Sequence, residues 1–202
     1  MDLIPNETEV RALLEQTGAL RKGHFRHASG THSDLYLQIP LAMRYYGESK
    51  MLSVALSRKL RKDDAVRRAV PNVSVVVPAT GGLPVAFGVA EALRASQTYW
   101  AEKTDGGALE LRQFVTIHPG EKVILVDDIL RTGRKLTQLR KLVEAAGATV
   151  LALAVLVHQP FENCATFDDL PLFKLLTLDP HYWTAKQCPL CAQGQPAVDV
   201  GE

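Results

Sequence analysis

The stretch from Val123 to Leu136 constrains the fold of this chain most. Its first four residues, Val123–Val126, have the composition of a buried strand, and Asp127 and Asp128 follow directly. We expect the strand to end at these two carboxylates and a helix to begin after the Thr-Gly pair at 132–133. Two such carboxylates can hydrogen-bond sugar hydroxyls, and N–H groups of the turn and the helix start can bind a phosphate. The stretch therefore predicts a ribose 5-phosphate site, although the acidic pair alone also fits a solvated helix cap.

Strand and helix patterns alternate on both sides of this stretch. Strand patterns occur at 73–77, 98–102, 122–126 and 149–157. Helical spacing of apolar residues is found from Val85 to Ala92 and from Leu136 to Ala146. Such alternation, with strands apolar on both faces, indicates a parallel sheet covered by helices. Because ligands of these sheets bind outside the carboxyl ends of the strands, we expect the loops Pro78–Gly82 and Asp127–Lys135 to form the site.

The remaining patterns are shorter and more polar. They predict a capped helix from Asn6 to Gly18, polar strands within 23–38, a helix over 48–61, and a hairpin with its return strand over 108–115. With 202 residues, the chain has the length of one domain around a single well-buried core.

Composition and charge argue against several classes of protein. A net charge of +1 gives no electrostatic reason to expect a nucleic-acid or membrane partner. The longest apolar run, Val150–Val157, has the length of a strand and is too short for a membrane helix. The first residues lack a signal-peptide pattern, and three cysteines, an odd number, argue against a disulfide framework. We therefore expect a cytoplasmic protein.

Several segments occur together in an order and spacing that resemble one enzyme family. They are the Asp127–Asp128 loop, the Pro78–Gly82 loop, the segment Gly23–Ser33, the hairpin Ala101–Gly106 and the tail Cys188–Pro196. Together they resemble the type I phosphoribosyltransferases, and among these the bacterial orotate phosphoribosyltransferases, nearly from end to end. The resemblance implies an α/β fold with a central, mostly parallel sheet flanked by helices, and a small hood formed by the N-terminal and C-terminal segments.

The resemblance also implies an organisation and an activity. A single phosphoribosyltransferase domain would span residues 1–202, with the hood contributed by residues 1–40 and 160–202. The implied reaction belongs to pyrimidine nucleotide biosynthesis: ribose 5-phosphate passes from phosphoribosyl pyrophosphate to orotate, which gives orotidine 5-monophosphate and pyrophosphate. The implied partners are these substrates and a second copy of the chain in a homodimer. The implied cofactor is Mg²⁺, bound mainly through phosphoribosyl pyrophosphate.

By resemblance, three segments bind the donor, phosphoribosyl pyrophosphate. Asp127 and Asp128 hold the ribose hydroxyls and, with Lys103, are the expected catalytic residues. Lys103 matches a basic residue on a mobile hairpin, which in the family typically closes over the site of the neighbouring subunit and contacts pyrophosphate. The other expected donor-binding residues are Ala79, Thr80, Gly81 and Gly82 at the pyrophosphate, and Arg131, Thr132, Gly133, Arg134 and Lys135 around the 5-phosphate.

On the base side, the sequence departs from the family pattern. Gln159 stands where the family places an arginine that binds the orotate carboxylate, and Ala28 stands where many relatives place a lysine. A neutral amide cannot form the bidentate, charge-assisted pair that arginine forms with a carboxylate. Arg131 lies on the base side of its loop, and we hypothesise that it replaces the missing partner. The expected base-binding residues are Arg131, Gln159, Ala28 and Tyr36.

These departures leave two alternatives to orotate transfer. One is a phosphoribosyltransferase with a different base acceptor, which Gln159, Ala28 and Arg131 favour. The other is a non-catalytic regulatory protein on the same scaffold. It is favoured by the cations Arg131, Arg134 and Lys135, which can either strengthen phosphate binding by their charge or fill the space that the 5-phosphate needs.

No metal site formed by the protein is expected. Cys188 and Cys191 have the spacing of half a zinc site. The residues that could complete it are Cys164, His158 and His181, or residues of a second chain. The three histidines within 23–33 have no carboxylate or cysteine nearby at the spacing of metal ligands. We therefore expect the cysteines and these histidines to have structural roles.

Overall fold

Two β-sheets organise residues 4–161 and 163–201, the part of the chain that the computed structural model describes. The strands are β1 (Leu20–His27), β2 (His32–Leu37), β3 (Val73–Pro78), β4 (Gln97–Lys103), β5 (Leu109–Leu111), β6 (Lys122–Leu130), β7 (Thr149–His158), β8 (Leu172–Thr177), β9 (Tyr182–Trp183) and β10 (Val198–Val200). The α-helices are α1 (Glu7–Gln16), α2 (Pro40–Met43), α3 (Tyr46–Leu60), α4 (Asp64–Ala69), α5 (Leu83–Leu93), α6 (Arg134–Ala145) and α7 (Pro189–Ala192), and a 3₁₀ turn spans Ala185–Gln187.

The larger sheet contains six strands in the order β5-β4-β3-β6-β7-β8. Neighbouring strands are parallel except β4 and β5, which form an antiparallel hairpin. Every residue of β3 is buried, as expected for a strand covered on both faces. The predicted α/β fold with a mostly parallel sheet flanked by helices is therefore confirmed.

Helices cover both faces of this sheet and enclose two hydrophobic cores. Val75 of β3 belongs to the core that includes Leu56 of α3 and Val89 of α5. The next residue, Val76, belongs to the opposite core with Leu139 of α6, because successive residues of a strand point to opposite faces. Leu56 and Leu139 are fully buried. Burial of each such side chain is worth about 1.5–3 kcal/mol.

The capped helix predicted near the N-terminus is present as α1. The Oδ1 atom of Asn6 accepts a hydrogen bond from the Glu9 N–H at 2.9 Å, and the Glu9 carboxylate accepts one from the Asn6 N–H at 2.8 Å. This reciprocal pair is the capping box that the sequence predicts. The helix ends before Gly18, whose φ of +74° turns the chain into β1.

The return strand of the β4–β5 hairpin is shorter than the predicted 108–115. It pairs with β4 only over Leu109–Leu111. A turn follows, in which the Val115 N–H donates to the Arg112 carbonyl at 3.0 Å, and Phe114 has a φ of +69°. That backbone conformation is incompatible with a strand, so the ladder cannot continue.

The strand that carries the acidic pair is longer than predicted. We expected it to end at Asp127 and Asp128, but β6 continues to Leu130 and pairs with β7 as far as His158. The pairing of β6 with β3, by contrast, stops at Leu125. The two carboxylates therefore lie on a strand that extends beyond its neighbour β3, and this extension places them at the carboxyl end of the sheet.

The smaller sheet combines both ends of the chain in the order β10-β1-β2-β9. β1 and β2 form an antiparallel hairpin, and β10 is parallel to β1. Within the predicted hood segments, β8 differs from its neighbours in the sequence because it joins the larger sheet beside β7. None of the helices in the described part of the chain has the length and apolar character needed to cross a membrane.

Candidate functional site

A cleft of about 770 Å³ lies where the carboxyl end of β6 meets the β1–β2 hairpin. This volume is in the range of small-molecule sites. The larger sheet contributes the acidic pair and the loop that follows it, whereas the smaller sheet contributes the hairpin and Tyr182. The lining residues that the sequence singled out are Ala28, Tyr36, Thr80, Gly81, Asp127, Asp128, Arg131, Thr132, Gly133, Arg134 and Lys135.

The two carboxylates differ in burial and therefore in chemistry. Asp127 is only 3% exposed, whereas Asp128 is half-buried. Burial raises the pKa of the Asp127 carboxyl well above its ordinary range, and the charge of Asp128 raises it further. Both carboxyl groups line the cleft, where their oxygens can accept hydrogen bonds from adjacent sugar hydroxyls.

The loop after β3 approaches the acidic pair closely because two of its residues are glycines. A Cβ atom at Gly81 would lie 2.6 Å from Oδ2 of Asp128, and one at Gly82 would lie 2.8 Å from Oδ1 of Asp127. Both distances are too short for non-bonded atoms. The sequence argument assigned these glycines to the pyrophosphate, whereas a side chain would first meet the Asp128 carboxylate at Gly81, and Val77 and the Asp127 carboxylate at Gly82.

The loop after β6 leads into the N-terminus of α6. Gly133 is the N-cap residue, with a φ of +74°, and it has no side chain to cap the helix. A Cβ atom there would lie 2.8 Å from Cβ of Ala165, so both space and conformation require glycine. The first-turn N–H groups of α6 are therefore available to an anion. The side chains of Arg134 and Lys135 are exposed at the rim of the cleft.

A segment that the sequence did not identify holds this loop in place. The N–H groups of Gln159, Phe161 and Ala165 donate to the carbonyls of Leu130, Arg131 and Thr132 at 2.9, 3.1 and 3.0 Å, respectively. These bonds continue beyond the end of the β6–β7 ladder. The backbone of the anion-binding loop is therefore fixed from outside the cleft. No local sequence pattern predicts this contact, because partners about 30 residues apart meet only after the sheet has formed.

Arg131 and Gln159 form one unit. The Arg131 Nε–H donates to Oε1 of Gln159 at 2.9 Å, and Gln159 is only 1% exposed. Burial lowers the pKa of the His27 imidazole, and the charge of Arg131 lowers it further. The guanidinium thus lies on the side of the cleft formed by the smaller sheet. Gln159 orients it from behind and does not itself line the cleft.

Two aromatic residues complete this side of the cleft. The rings of Phe161 and Tyr182 meet edge to face, with centroids 4.8 Å apart, and both residues line the cleft. Sequence reasoning selected neither Phe161 nor Tyr182 for the site, because neither belongs to a recognisable local pattern. Flat apolar walls beside a guanidinium suit a planar, anionic ring.

Other predicted site residues do not line this cleft. Ala79 and Gly82 belong to the loop after β3 but do not face the opening. Lys103 is exposed at the end of β4, on the β4–β5 hairpin.

Outside the cleft, four side chains from the smaller sheet and the tail form a group that could hold a metal ion. They are His24, His32, Cys188 and Cys191, and their ligand atoms all lie within 4.8 Å of one another. The sequence argument was wrong about the partners of the cysteine pair, because folding brings it to β1 and β2, about 160 residues away.

Comparisons with known proteins identify the family to which the chain is similar. The family model of the phosphoribosyl transferase domain matches residues 59–190. An orotate phosphoribosyltransferase of Pelotomaculum thermopropionicum is 36% identical over 194 residues, which cover 96% of this chain and 96% of that protein. An orotate phosphoribosyltransferase of Acidithiobacillus ferrooxidans is 36% identical over 193 residues, which cover 96% of this chain and 95% of that protein.

A solved structure shares the fold at lower identity. The crystal structure of orotate phosphoribosyltransferase from Aeropyrum pernix superposes with a TM-score of 0.66 and 23% identity. The match covers 84% of this chain and 93% of that one.

Proposed function

We propose that this chain, which belongs to the phosphoribosyltransferase family, transfers ribose 5-phosphate from phosphoribosyl pyrophosphate to orotate. In this reaction the bond from C1 of the ribose to the pyrophosphate oxygen breaks, and a bond from C1 to a ring nitrogen of orotate forms. One observation carries the proposal. A carboxyl pair on β6, the N-terminus of α6 and a guanidinium flanked by aromatic rings line a single cleft.

On the donor side, the chain supplies hydrogen bonds and a fixed backbone. Asp127 and Asp128 bind the ribose hydroxyls and hold the sugar as positive charge develops at C1. The N–H groups from Thr132 to Lys135 bind the 5-phosphate, and Arg134 and Lys135 add positive charge at the rim. Since hydrogen bonds from residues 159–165 fix this loop, the phosphate is bound without a large ordering cost.

On the base side, Arg131 binds the orotate carboxylate. Its Nε–H donates to Gln159, and no described residue hydrogen-bonds its two terminal nitrogens, which we assign to a ligand. These nitrogens can form a bidentate, charge-assisted pair with a carboxylate. The role that the family gives to an arginine at position 159 is thus divided: Arg131 supplies the charge, and Gln159 is a positioning residue. Phe161 and Tyr182 pack against the ring of the base.

The proposal includes Mg²⁺, a homodimer and a cytoplasmic location. The cleft offers Asp128 as an oxygen donor of the kind that Mg²⁺ prefers, and the diphosphate of the donor would supply further oxygens. When bound, the ion neutralises charge on the departing pyrophosphate. The exposed apolar side chains Tyr46, Met51 and Phe87 on α3 and α5 support association with a second copy.

Pyrophosphate release tests the reaction. The purified protein is incubated with phosphoribosyl pyrophosphate, Mg²⁺ and one base at a time from a panel that includes orotate, uracil, adenine and hypoxanthine. We expect turnover with orotate. Turnover only with another base would support a different acceptor. No turnover with any base, together with tight binding of ribose 5-phosphate by calorimetry, would support a regulatory protein.

A matched pair of arginine variants tests the base side. Arg131→Ala should raise the KM for orotate about 100-fold, because a charged hydrogen-bonded pair is worth about 1.5–3 kcal/mol. It should change the KM for phosphoribosyl pyrophosphate little. Arg134→Ala, which removes an equal charge from the same loop, should mainly raise the KM for phosphoribosyl pyrophosphate. An unchanged KM for orotate in Arg131→Ala would contradict the assignment.

A further inference from the structure

The group formed by His24, His32, Cys188 and Cys191 has no part in the proposed transfer reaction. None of the four residues lines the cleft. His24, His32 and Cys188 are almost completely buried, at 2, 5 and 3% exposure. Four potential metal ligands, drawn from three separate segments, thus converge where the tail packs against the smaller sheet, and the fourth, Cys191, is exposed at the edge of the group.

We propose that these four side chains bind a single Zn²⁺ ion through Nε2 of His24, Nδ1 of His32 and the two Sγ atoms. Two thiolates and two imidazoles are a ligand set that Zn²⁺ takes in closed, four-coordinate structural sites. Soft thiolates favour Zn²⁺ over Mg²⁺ or Ca²⁺, which prefer oxygen. The proposal rests on this geometry and is independent of the reaction in the cleft.

Three nitrogen–sulfur distances within the group match tetrahedral zinc coordination, and the remaining ligand atoms would shift by less than about 1.5 Å to complete it. Nε2 of His24 lies 3.5 Å from Sγ of Cys188 and 3.6 Å from Sγ of Cys191, and Nδ1 of His32 lies 3.4 Å from Sγ of Cys191. Zinc bonds of about 2.0 Å to nitrogen and 2.3 Å to sulfur give about 3.5 Å between a nitrogen and a sulfur ligand. The two nitrogens are 2.6 Å apart and would separate to about 3.3 Å around an ion.

A hydrogen bond outside the group orients one of the ligands. Nδ1 of His24 lies 2.7 Å from the carbonyl oxygen of Gln195, and a carbonyl can only accept. The His24 proton is therefore on Nδ1, which leaves the lone pair of Nε2 pointing at the other three ligands. Metal-binding histidines usually have such a partner on the nitrogen that faces away from the metal.

The β1–β2 hairpin presents the two histidines, and α7 in the tail presents the two cysteines. The β1–β2 pairing shifts register between Lys22 and Phe25, and this bulge contains His24. Bulges change the direction of a side chain, which here faces His32 on the neighbouring strand. Cys188 is the N-cap residue of α7, and Cys191 lies in that helix, so a single tight turn presents both sulfurs.

Two metal-free arrangements compete with this proposal. In the first, His32 donates a hydrogen bond to His24, and both cysteines remain thiols. In the second, Cys188 and Cys191 form a disulfide across the short helix. In the first, the single lone pair of His24 Nε2 would face the His32 donor and two thiols, so at most one of the three is well satisfied; in the second, the sulfurs have no proton to donate to it. A zinc ion would use all four groups and tie the tail to the β1–β2 hairpin.

Metal analysis of purified protein tests the site directly. The chain is produced in zinc-containing medium and purified under reducing conditions, and zinc is measured by mass spectrometry. We expect about one zinc per chain in the wild type. The Cys188→Ser/Cys191→Ser double variant should contain at least about tenfold less. Cys164→Ser, which removes the third cysteine of the chain, is the matched control and should keep its zinc.

Cobalt substitution provides a readout that does not depend on a folded variant. The wild-type protein is stripped of metal with a chelator and titrated with Co²⁺. Tetrahedral coordination by two thiolates should give visible d–d bands and a near-ultraviolet thiolate band that saturate at about one equivalent and disappear when Zn²⁺ is added. The absence of both zinc and cobalt signals, or a Cys188–Cys191 disulfide in the purified wild type, would overturn the proposal.

Discussion

Asp127 is almost completely buried, although its proposed partner is a polar sugar. Its pKa is raised well above the ordinary range, first by burial and then by the charge of Asp128. The folded state therefore binds this proton more tightly than the unfolded state does. The resulting stabilisation is complete below the unfolded pKa, about 3.9, and is lost as pH rises through the higher folded pKa. At neutral pH, which is above the unfolded pKa, Asp127 therefore lowers the free energy of unfolding.

Replacement of this residue should separate stability from activity. Asp127→Asn removes the ionisable group at nearly constant volume. We expect its unfolding free energy to exceed that of the wild type by about 1–3 kcal/mol at pH 8, and by less at pH 5. Urea unfolding at both pH values measures this difference, and the turnover number should fall. Asp105→Asn, on the exposed hairpin, controls for the loss of one charge. An Asp127→Asn effect that is equal at both pH values would contradict the argument.

At the scale of elements, local patterns predicted the longer helices and most strands of the larger sheet, but not where two strands end. They also missed short or late elements: α2, α4, α7, β8, β9 and β10. The capping box at Asn6 and Glu9 depends on residues three apart, so the sequence displays it directly. The end of β6 depends on β7, which supplies partners up to His158 after β3 has stopped. Likewise, the loop contacts of residues 159–165 require the finished sheet. Sequence reasoning thus located the anion-binding loop but missed the segment that supports it.

The packing of α3 against α5 leads to a second prediction. In α3, Oγ of Ser53 is buried and has no hydrogen-bond partner among the described residues. It lies so close to α5 that a Cβ atom at Gly88 would be 2.2 Å away. Ser53→Ala should therefore stabilise the protein by about 1 kcal/mol, because it removes an unsatisfied buried hydroxyl.

Ser57→Ala is the matched control, since Ser57 is buried on the same helix. Its Oγ–H donates to the Val54 carbonyl at 2.8 Å. The gain in helix propensity is the same for both substitutions, so the difference between them isolates the hydrogen bond. Thermal unfolding of the two variants should place Ser53→Ala above Ser57→Ala. The reverse order would show that Ser53 has a partner, such as a buried water.

At the scale of the whole molecule, the cleft lies between two sheets that are formed by different parts of the sequence. The proposed donor side comes from the larger sheet, whose alternating pattern predicted its position. The proposed base side comes from the β1–β2 hairpin and from Phe161 and Tyr182, which are distant in sequence. The sequence therefore located the part of the cleft on the larger sheet more completely than the opposite wall. Lys103 fits neither side, because it lies on a hairpin outside the cleft of its own chain.

Subunit mixing tests whether this hairpin serves a second copy. Lys103→Ala and Asp128→Asn should each be nearly inactive alone. If the hairpin acts across a dimer, a mixed dimer contains one site with both native residues. Equal mixing after reversible dissociation should then restore about a quarter of the wild-type activity. Activity no greater than the average of the two separate variants would place Lys103 at its own site or outside the reaction.

The smaller sheet includes strands from both ends of the chain, and this arrangement determines the order of assembly during synthesis. The last strand of the larger sheet is complete at residue 177, whereas β10 ends at residue 200. Domains form as their residues emerge from the ribosome, so the larger sheet can close about 20 residues earlier than the smaller one. A nascent chain can therefore form the loop proposed to bind the donor phosphate before it has completed the wall proposed to contact the base.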